Sequence, residues 1–352
     1  MHFHGSYLPS DVNFLLEIED FKEISILEKE ELIQTGKKHY SEVLTEEMDF
    51  SDEYMRLFDT VFAENIEKIS QDVVALSSHI SKLYKPVIVS LARAGTPYGV
   101  LLKRCLSQCY SVATEHYSVS IIRDKGIDLV AMDYMVDKHG ADATYIFVDG
   151  WTGKGAIYNQ LAKSLKGYQY PLHYQFVVLS DIAGVADIAA TREDYIIPSC
   201  LINSTISGLI SRTLINSSPE KFHRAKFYEK FQSKDLSLVF VDKVQEYILK
   251  NNVCQQQLPI VAFDENYKND YQNFITTIFE KYQVSNRNYI KPGLGETTRM
   301  LIRRNPDFIL INEKYTHLLE HILLLCKIKN VTIHIENNMP IPCVGIINKV
   351  QS

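Results

Sequence analysis

Short β-branched runs that alternate with stretches of helical periodicity leave few folds open to this chain. Pro86–Leu91, Ser118–Ile122, Thr144–Val148 and Phe176–Leu179 are apolar runs of strand length. Between them, Tyr98–Gln108, Ile127–Lys138 and Gly155–Leu165 read as helices. Such alternation makes βαβ units, which build a parallel sheet covered by helices. Upstream, Leu57, Phe58, Val61, Phe62, Ile66, Ile69 and Val73 predict one long amphipathic helix over Tyr54–Lys82. After Gln255–Gln257 the pattern restarts. Strands are expected at Pro259–Phe263, Asp307–Ile311 and Val331–Ile335, and helices at Tyr271–Tyr282, Glu296–Arg304 and Tyr315–Lys327. The expected organisation is an entry segment over 1–50, an α/β parallel-sheet domain over 51–254 and a smaller α/β/α domain over 255–352.

Charge and cysteine usage narrow the function classes. The 352 residues carry 37 basic and 43 acidic side chains, a net charge of −6, which argues against a DNA-coating protein but leaves room for a local basic patch. Six cysteines without a CxxC pair speak against a disulfide framework or a structural zinc site, and fit a reducing cytoplasm. No apolar run approaches the roughly 20 residues of a membrane span. The opening Met1–Ser6 lacks the basic and apolar regions of a secretory signal.

In parallel sheets, ligands gather beyond the carboxyl ends of the strands. Three glycine-rich or basic turns are expected there. Asp149-Gly150-Trp151-Thr152-Gly153-Lys154-Gly155 closes one strand and opens a helix. Its glycines let backbone N–H groups turn inward, and Thr152 and Lys154 add donors for a phosphate. The spacing is not that of a P-loop. Arg93-Ala94-Gly95-Thr96-Pro97 closes the strand before it, with Arg93 placed to grip a diphosphate. Arg123-Asp124-Lys125-Gly126 follows a third strand. Trp151, the only tryptophan, is either a packing anchor or a stacking surface.

These turns resemble the type I phosphoribosyltransferase fold. Val148–Ala156 keeps that fold's strand, first acid and short Thr/Gly loop, with Gly150 in place of the second acid. More narrowly, the chain resembles the phosphoribosyltransferase-like proteins of bacterial tellurite-resistance and stress-response operons, which carry a C-terminal Pelota-type RNA-binding domain. The matching stretches are Gly5–Pro9, His39–Glu42, Ser90–Thr96, Val148–Gly155, Ile197–Thr213 and Lys291–Arg304. Members are also labelled cysteine protease StiP. The resemblance implies transfer of a ribose phosphate from phosphoribosyl pyrophosphate to an unknown acceptor, nucleobase-like or RNA-linked. Asp149, Arg93 and Lys125 would be catalytic, with Mg²⁺ at Asp149. Gly95, Thr96, Arg123, Trp151, Thr152, Gly153, Lys154 and Gly155 would bind substrate. The segment Gly293, Gly295, Glu296, Arg299 and Arg303 resembles the RNA contact of Pelota-type and kink-turn-binding ribosomal proteins, which implies structured RNA as a partner. Arg299 and Arg303 stand one helical turn apart.

Two rival readings stand beside the transferase. A cysteine protease would use Cys200, with Asn203 nearby and His223, His116 or His173 as base. No local signature of caspases or papain-like enzymes accompanies Cys200. Cys105 and Cys109 read as core residues. The third reading is a non-catalytic nucleotide or RNA sensor.

Overall fold

A computed structural model describes residues 3–25, 28, 31–32, 35, 37–47, 50–304 and 306–347. Helix α1 (Asp52–Ile80) starts where Ser51 Oγ accepts from the Tyr54 N–H at 3.3 Å, with Asp52 and Glu53 against the helix dipole. It buries Phe58, Val61, Phe62, Ile69, Val73, Leu76 and Ile80 along one stripe.

The strands of the main sheet are β1 (Asn13–Leu15), β2 (Pro86–Ala92), β3 (His116–Ile122), β4 (Thr144–Thr152), β5 (His173–Asp181), β6 (Ile188–Thr191) and β7 (Val261–Ala262). They lie in the order β1–β3–β2–β4–β5–β6–β7, parallel along this path except for β7, and an eighth short strand, Gly126–Ile127, pairs antiparallel with β3 off the path. Helices α2 (Thr96–Tyr110), α3 (Leu129–His139) and α4 (Ala156–Lys166) make the crossovers, and α5 (Ser237–Lys250) follows later. Period-two alternation splits each strand between two cores. Ile88, Ile146, Val148, Val177 and Leu179 pack with Phe62, Val73, Tyr98, Leu102 and Phe240. Val87, Val89, Tyr117, Phe147 and Phe176 face the other way, onto Met132, Met135, Leu161 and Leu165.

Two placements differ from the expected division. The entry segment supplies β1, and Val261–Ala262 closes the edge of the main sheet beside β6. The C-terminal unit comprises α6 (Glu265–Lys281), β8 (Ile290–Pro292), α7 (Gly293–Arg303), β9 (Phe308–Ile311), α8 (Glu320–Lys329), β10 (Thr332–Ile335) and β11 (Cys343–Ile346). Its sheet runs β8–β11–β9–β10, with only β9 and β10 parallel.

The cysteines hold a surprise. Cys109 of α2 is disulfide-bonded to Cys254, 145 residues away, and Cys105 brings a third sulfur within 4.8 Å of both. A search for neighbouring CxxC pairs does not see a contact made across so long a separation. No helix among the described residues is long and apolar enough to cross a membrane.

Candidate functional site

The order in which strands are added to the sheet reverses between the parallel strands β2 and β4: β2 leads to β3 on one side, while β4 pairs on the other. The carboxyl ends of these two strands therefore flank a crevice. Helix α7 of the C-terminal unit occupies it. A Cβ placed on Gly295 would lie 2.8 Å from Trp151 Nε1, and one on Gly153 would lie 2.7 Å from Glu296 Cγ. The Leu294 N–H donates to both carboxylate oxygens of Asp194, at 3.1 and 3.0 Å.

The loops expected to hold a phosphate have their polar groups engaged within the chain. Arg93 is 8% exposed. It donates to Glu47 Oε1 at 2.6 Å and to Ile210 O at 2.9 Å. Gly95 packs so closely on Val148 that any Cβ would meet its carbonyl oxygen at 2.2 Å. Thr96 Oγ1 pairs with Ser118 Oγ at 2.8 Å. Thr152 Oγ1 donates to Asp181 Oδ1 at 2.6 Å and accepts from the Ala183 N–H at 3.1 Å. Lys154 Nζ donates to Ile290 O at 2.6 Å, and the Gly153 carbonyl accepts from Tyr271 at 2.9 Å. Gly155 caps α4 at φ +76°. Arg123 lies beside Asp124 at 3.8 Å, whereas Lys125 is exposed on its turn.

Asp149 offers no oxygen set for Mg²⁺. Its Oδ1 accepts from the Gly150 N–H at 2.8 Å, and the Tyr98 ring stands 2.8 Å from where a side chain at position 150 would begin. A second carboxylate has no room there. The Asp149 carboxyl has the Arg299 charge and the Glu296 carboxyl as neighbours, and Glu296 is itself engaged by Lys291, Lys154, Arg299 and Arg303.

What converges on the crevice is a half-buried band of charge along α7. Burial pushes the Asp149 carboxyl up to about 7, and the Asp194 carboxyl to about 7. Burial, with Lys291 adding repulsion, pulls the Lys154 ammonium down to about 7. Burial alone would raise the Glu296 carboxyl, but Lys291, Lys154, Arg299 and Arg303 together hold it below its ordinary value. Arg303, half-buried and facing Arg299 and Arg93, reaches the Asn203 side-chain oxygen. The Arg299 guanidinium sits 5.5 Å from the Trp151 ring centre. The segment expected to face RNA thus faces the chain's own strand ends.

Cys200 lies at the edge of this band, in a short 3-10 turn, Pro198–Cys200, and is 1% exposed. Burial pushes its thiol up to about 12, and Thr298 of α7 hydrogen-bonds it. Thr298 Oγ1 in turn shares a hydrogen bond with His321 Nε2 of α8 at 3.0 Å. Tyr98 meets Ser199 at 2.5 Å, and Tyr54 donates to Leu201 O at 2.7 Å. The expected bases lie elsewhere. His223 pairs with Ser120 at 2.8 Å, and His116 with Ser90 at 2.7 Å and Asp11 O at 2.8 Å. His173 begins β5, at the opposite end of the sheet. Glu47, Asp194, Thr298 and His321 belong to the site without having been legible in it. Each joins through long-range packing and carries no local motif.

Comparison with known proteins corrects the functional reading. A family model described as tellurite-like stress resistance cysteine protease StiP matches residues 5–245. A second, described as the PELOTA RNA binding domain, matches residues 270–349. A relative from Acinetobacter baylyi, named cysteine protease StiP, is 35% identical over 347 residues, covering 92% of this chain and 89% of its own length. A solved C-DES mutant with glycine linked to its PLP cofactor shares 10% identity over 75% of this chain and 74% of its own, at a TM-score of 0.24, and carries no argument. The phosphoribosyltransferase expectation, with its transferase activity and phosphoribosyl pyrophosphate substrate, is overturned by the protease naming of both family and relative. The chain belongs to the StiP family of tellurite-like stress resistance cysteine proteases and carries a C-terminal Pelota-type RNA-binding domain.

Proposed function

We propose that this chain is a cysteine peptidase whose nucleophile is Cys200. The observation that carries the assignment is where the cysteines lie. The segment matched by the protease family contains Cys105, Cys109 and Cys200. Cys109 is bonded to Cys254, and Cys105 sits in the apolar core against Ser77. Cys200 alone of the three lies at the strand-end crevice, among hydroxyls, an amide and guanidinium groups.

The chemistry is acyl transfer. The Cys200 thiolate adds to a peptide carbonyl and the amine leaves with a proton, giving a thioester. Water then hydrolyses the thioester, releasing the acid and restoring the thiol. In the arrangement described, the thiol is neutral and dry, and it is engaged by Thr298, which His321 holds in place. This arrangement is a resting state. The C-terminal unit binds RNA, a reading supported by its Pelota match. The face proposed for that contact is Gly293, Gly295, Glu296, Arg299 and Arg303.

The test is peptide cleavage by the full chain, with a thiol-directed probe read out by mass spectrometry. Cys200→Ala is expected to abolish both cleavage and labelling at that position, while Cys105→Ser leaves cleavage intact. Full cleavage by Cys200→Ala would remove Cys200 from the mechanism.

A further inference from the structure

The face of α7 proposed for RNA is the face that covers Cys200. Lys291, Glu296, Arg299 and Arg303 all point into the crevice, and their neighbours there are Asp149 and Lys154. The closure is poorly balanced in charge. Arg93 has Glu47 at 2.6 Å, and Lys291 has Glu296 at 3.9 Å. Lys154, Arg299 and Arg303 draw on the same Glu296, and Arg303 also on Glu47, while the hydrogen bond of Arg303 goes to a neutral amide. Three cations in a half-buried seam, with Glu296 held ionised among them and Asp149 and Asp194 driven by burial toward neutrality, form a surface that gains from an external polyanion.

We infer that α7 is contested by two occupants, the strand-end crevice of its own chain and the phosphate backbone of RNA, so that RNA uncovers Cys200. This rests on the reading of Cys200 as nucleophile. RNA draws the α7 cations into contact with phosphates, Thr298 leaves the thiol, and water enters the crevice. A rehydrated thiol returns from about 12 toward its ordinary value of 9.0. That restores roughly a thousandfold in thiolate fraction at neutral pH, and with it nucleophilicity.

The experiment uses the full chain under reducing conditions. The probes are iodoacetamide and a hairpin RNA with an internal loop, with a DNA duplex of equal length for comparison. Alkylation is followed at Cys200 and Cys105 separately. Cys105 is 4% exposed in the core and reports any general unfolding. Saturating RNA is expected to speed alkylation of Cys200 at least tenfold while Cys105 stays unreactive. The DNA duplex is expected to give less than a third of that gain. Gly153→Leu drives a side chain against Glu296 from the opposite wall and leaves α7 itself unaltered. It is expected to speed Cys200 alkylation without RNA and to tighten RNA binding at least tenfold, because the competing closure is weakened. Trp151→Ala, which removes the contact to Gly295, is expected to do both more mildly and serves if the wedge does not fold. RNA that binds while Cys200 stays as slow as before would overturn the inference. So would opening variants whose RNA affinity is unchanged, or the absence of RNA binding to wild type and both variants. None of these readouts requires peptide cleavage. Loss of cleavage with RNA-dependent alkylation intact would count against the peptidase reading alone.

Discussion

The two ends of the main sheet hold the same kind of ion pair in opposite surroundings. At the amino end, Lys85 meets Asp142 at 2.8 Å, with the two side chains 52% and 59% exposed. At the carboxyl end, Arg93 meets Glu47 at 2.6 Å, with the two side chains 7% and 9% exposed. Water screens the first pair, and losing it changes little. The second is sealed under the loops and depends on its partner for charge balance. Polar groups at the amino end face solvent, whereas those at the carboxyl end are matched to one another and to a helix from a different unit. That end is built around a closure, and a closure can be undone.

The largest effect is expected from Glu47→Ala. It orphans a buried guanidinium and should lower stability by about 3–5 kcal/mol in denaturant unfolding. A loss below about 1 kcal/mol would mean that water reaches Arg93, and the contrast between the two ends would fail.

A second test is pH. Asp149 and Asp194 have carboxyls lifted to about 7 from 3.8, so the closed form holds their protons more tightly than the unfolded chain does. Their contribution is fully present below about pH 4 and is lost as pH rises through about 7. Lys154 is depressed to about 7 from 10.5, so its contribution is present above about pH 10 and is lost as pH falls through about 7. The closure is therefore weakest near neutrality. Cys200 alkylation, divided by that of a free thiol at each pH, is expected to peak there. Asp149→Asn should weaken the acid limb, and Lys154→Met should flatten the alkaline one. A profile that only rises or only falls across this range would sink the argument.

A smaller effect is expected from Thr298→Val. It removes the hydroxyl between Cys200 and His321 but keeps the volume. The bond from Thr298 favours the thiolate against the upward push of burial, so losing it should slow alkylation of Cys200 several-fold with little change in overall unfolding. An unchanged rate would show that the Thr298 hydroxyl does not reach the thiol. The smallest effect belongs to the amino end. Lys85→Ala should barely move the denaturant unfolding midpoint, and the difference from wild type should vanish in high salt.

The sheet was legible from sequence because its information is local. Pro86–Leu91 and Thr144–Val148 are too short and too β-branched for helices, and the glycines after them mark the turns. The long helix was legible from its spacing. The site was legible only in part. Arg93, Asp149 and Lys154 were expected just beyond strand ends; Arg93 and Lys154 do follow β2 and β4, whereas β4 runs on to Thr152 and holds Asp149 within it. What they face was not readable. A helix with glycines at its start and arginines one turn apart has the same pattern whether it faces solvent, RNA or its own chain. Cys200 shows the same limit, because the groups packed over it, Thr298 and, bonded to Thr298, His321, lie about a hundred residues downstream. Cys254 eluded the reading for the same reason, since its partner is 145 residues away.

The covering of Cys200 by α7 also has a consequence in time. The ribosome adds about 5–20 residues per second, and N-terminal units fold first. Some hundred residues separate Cys200 from the end of α7. For about 5–20 seconds of each synthesis, the crevice has its walls and its thiol but no cover. A nascent molecule passes through its uncovered form before it can reach the silent one, so each newly made copy is most reactive while still attached to the ribosome, in a compartment crowded with RNA.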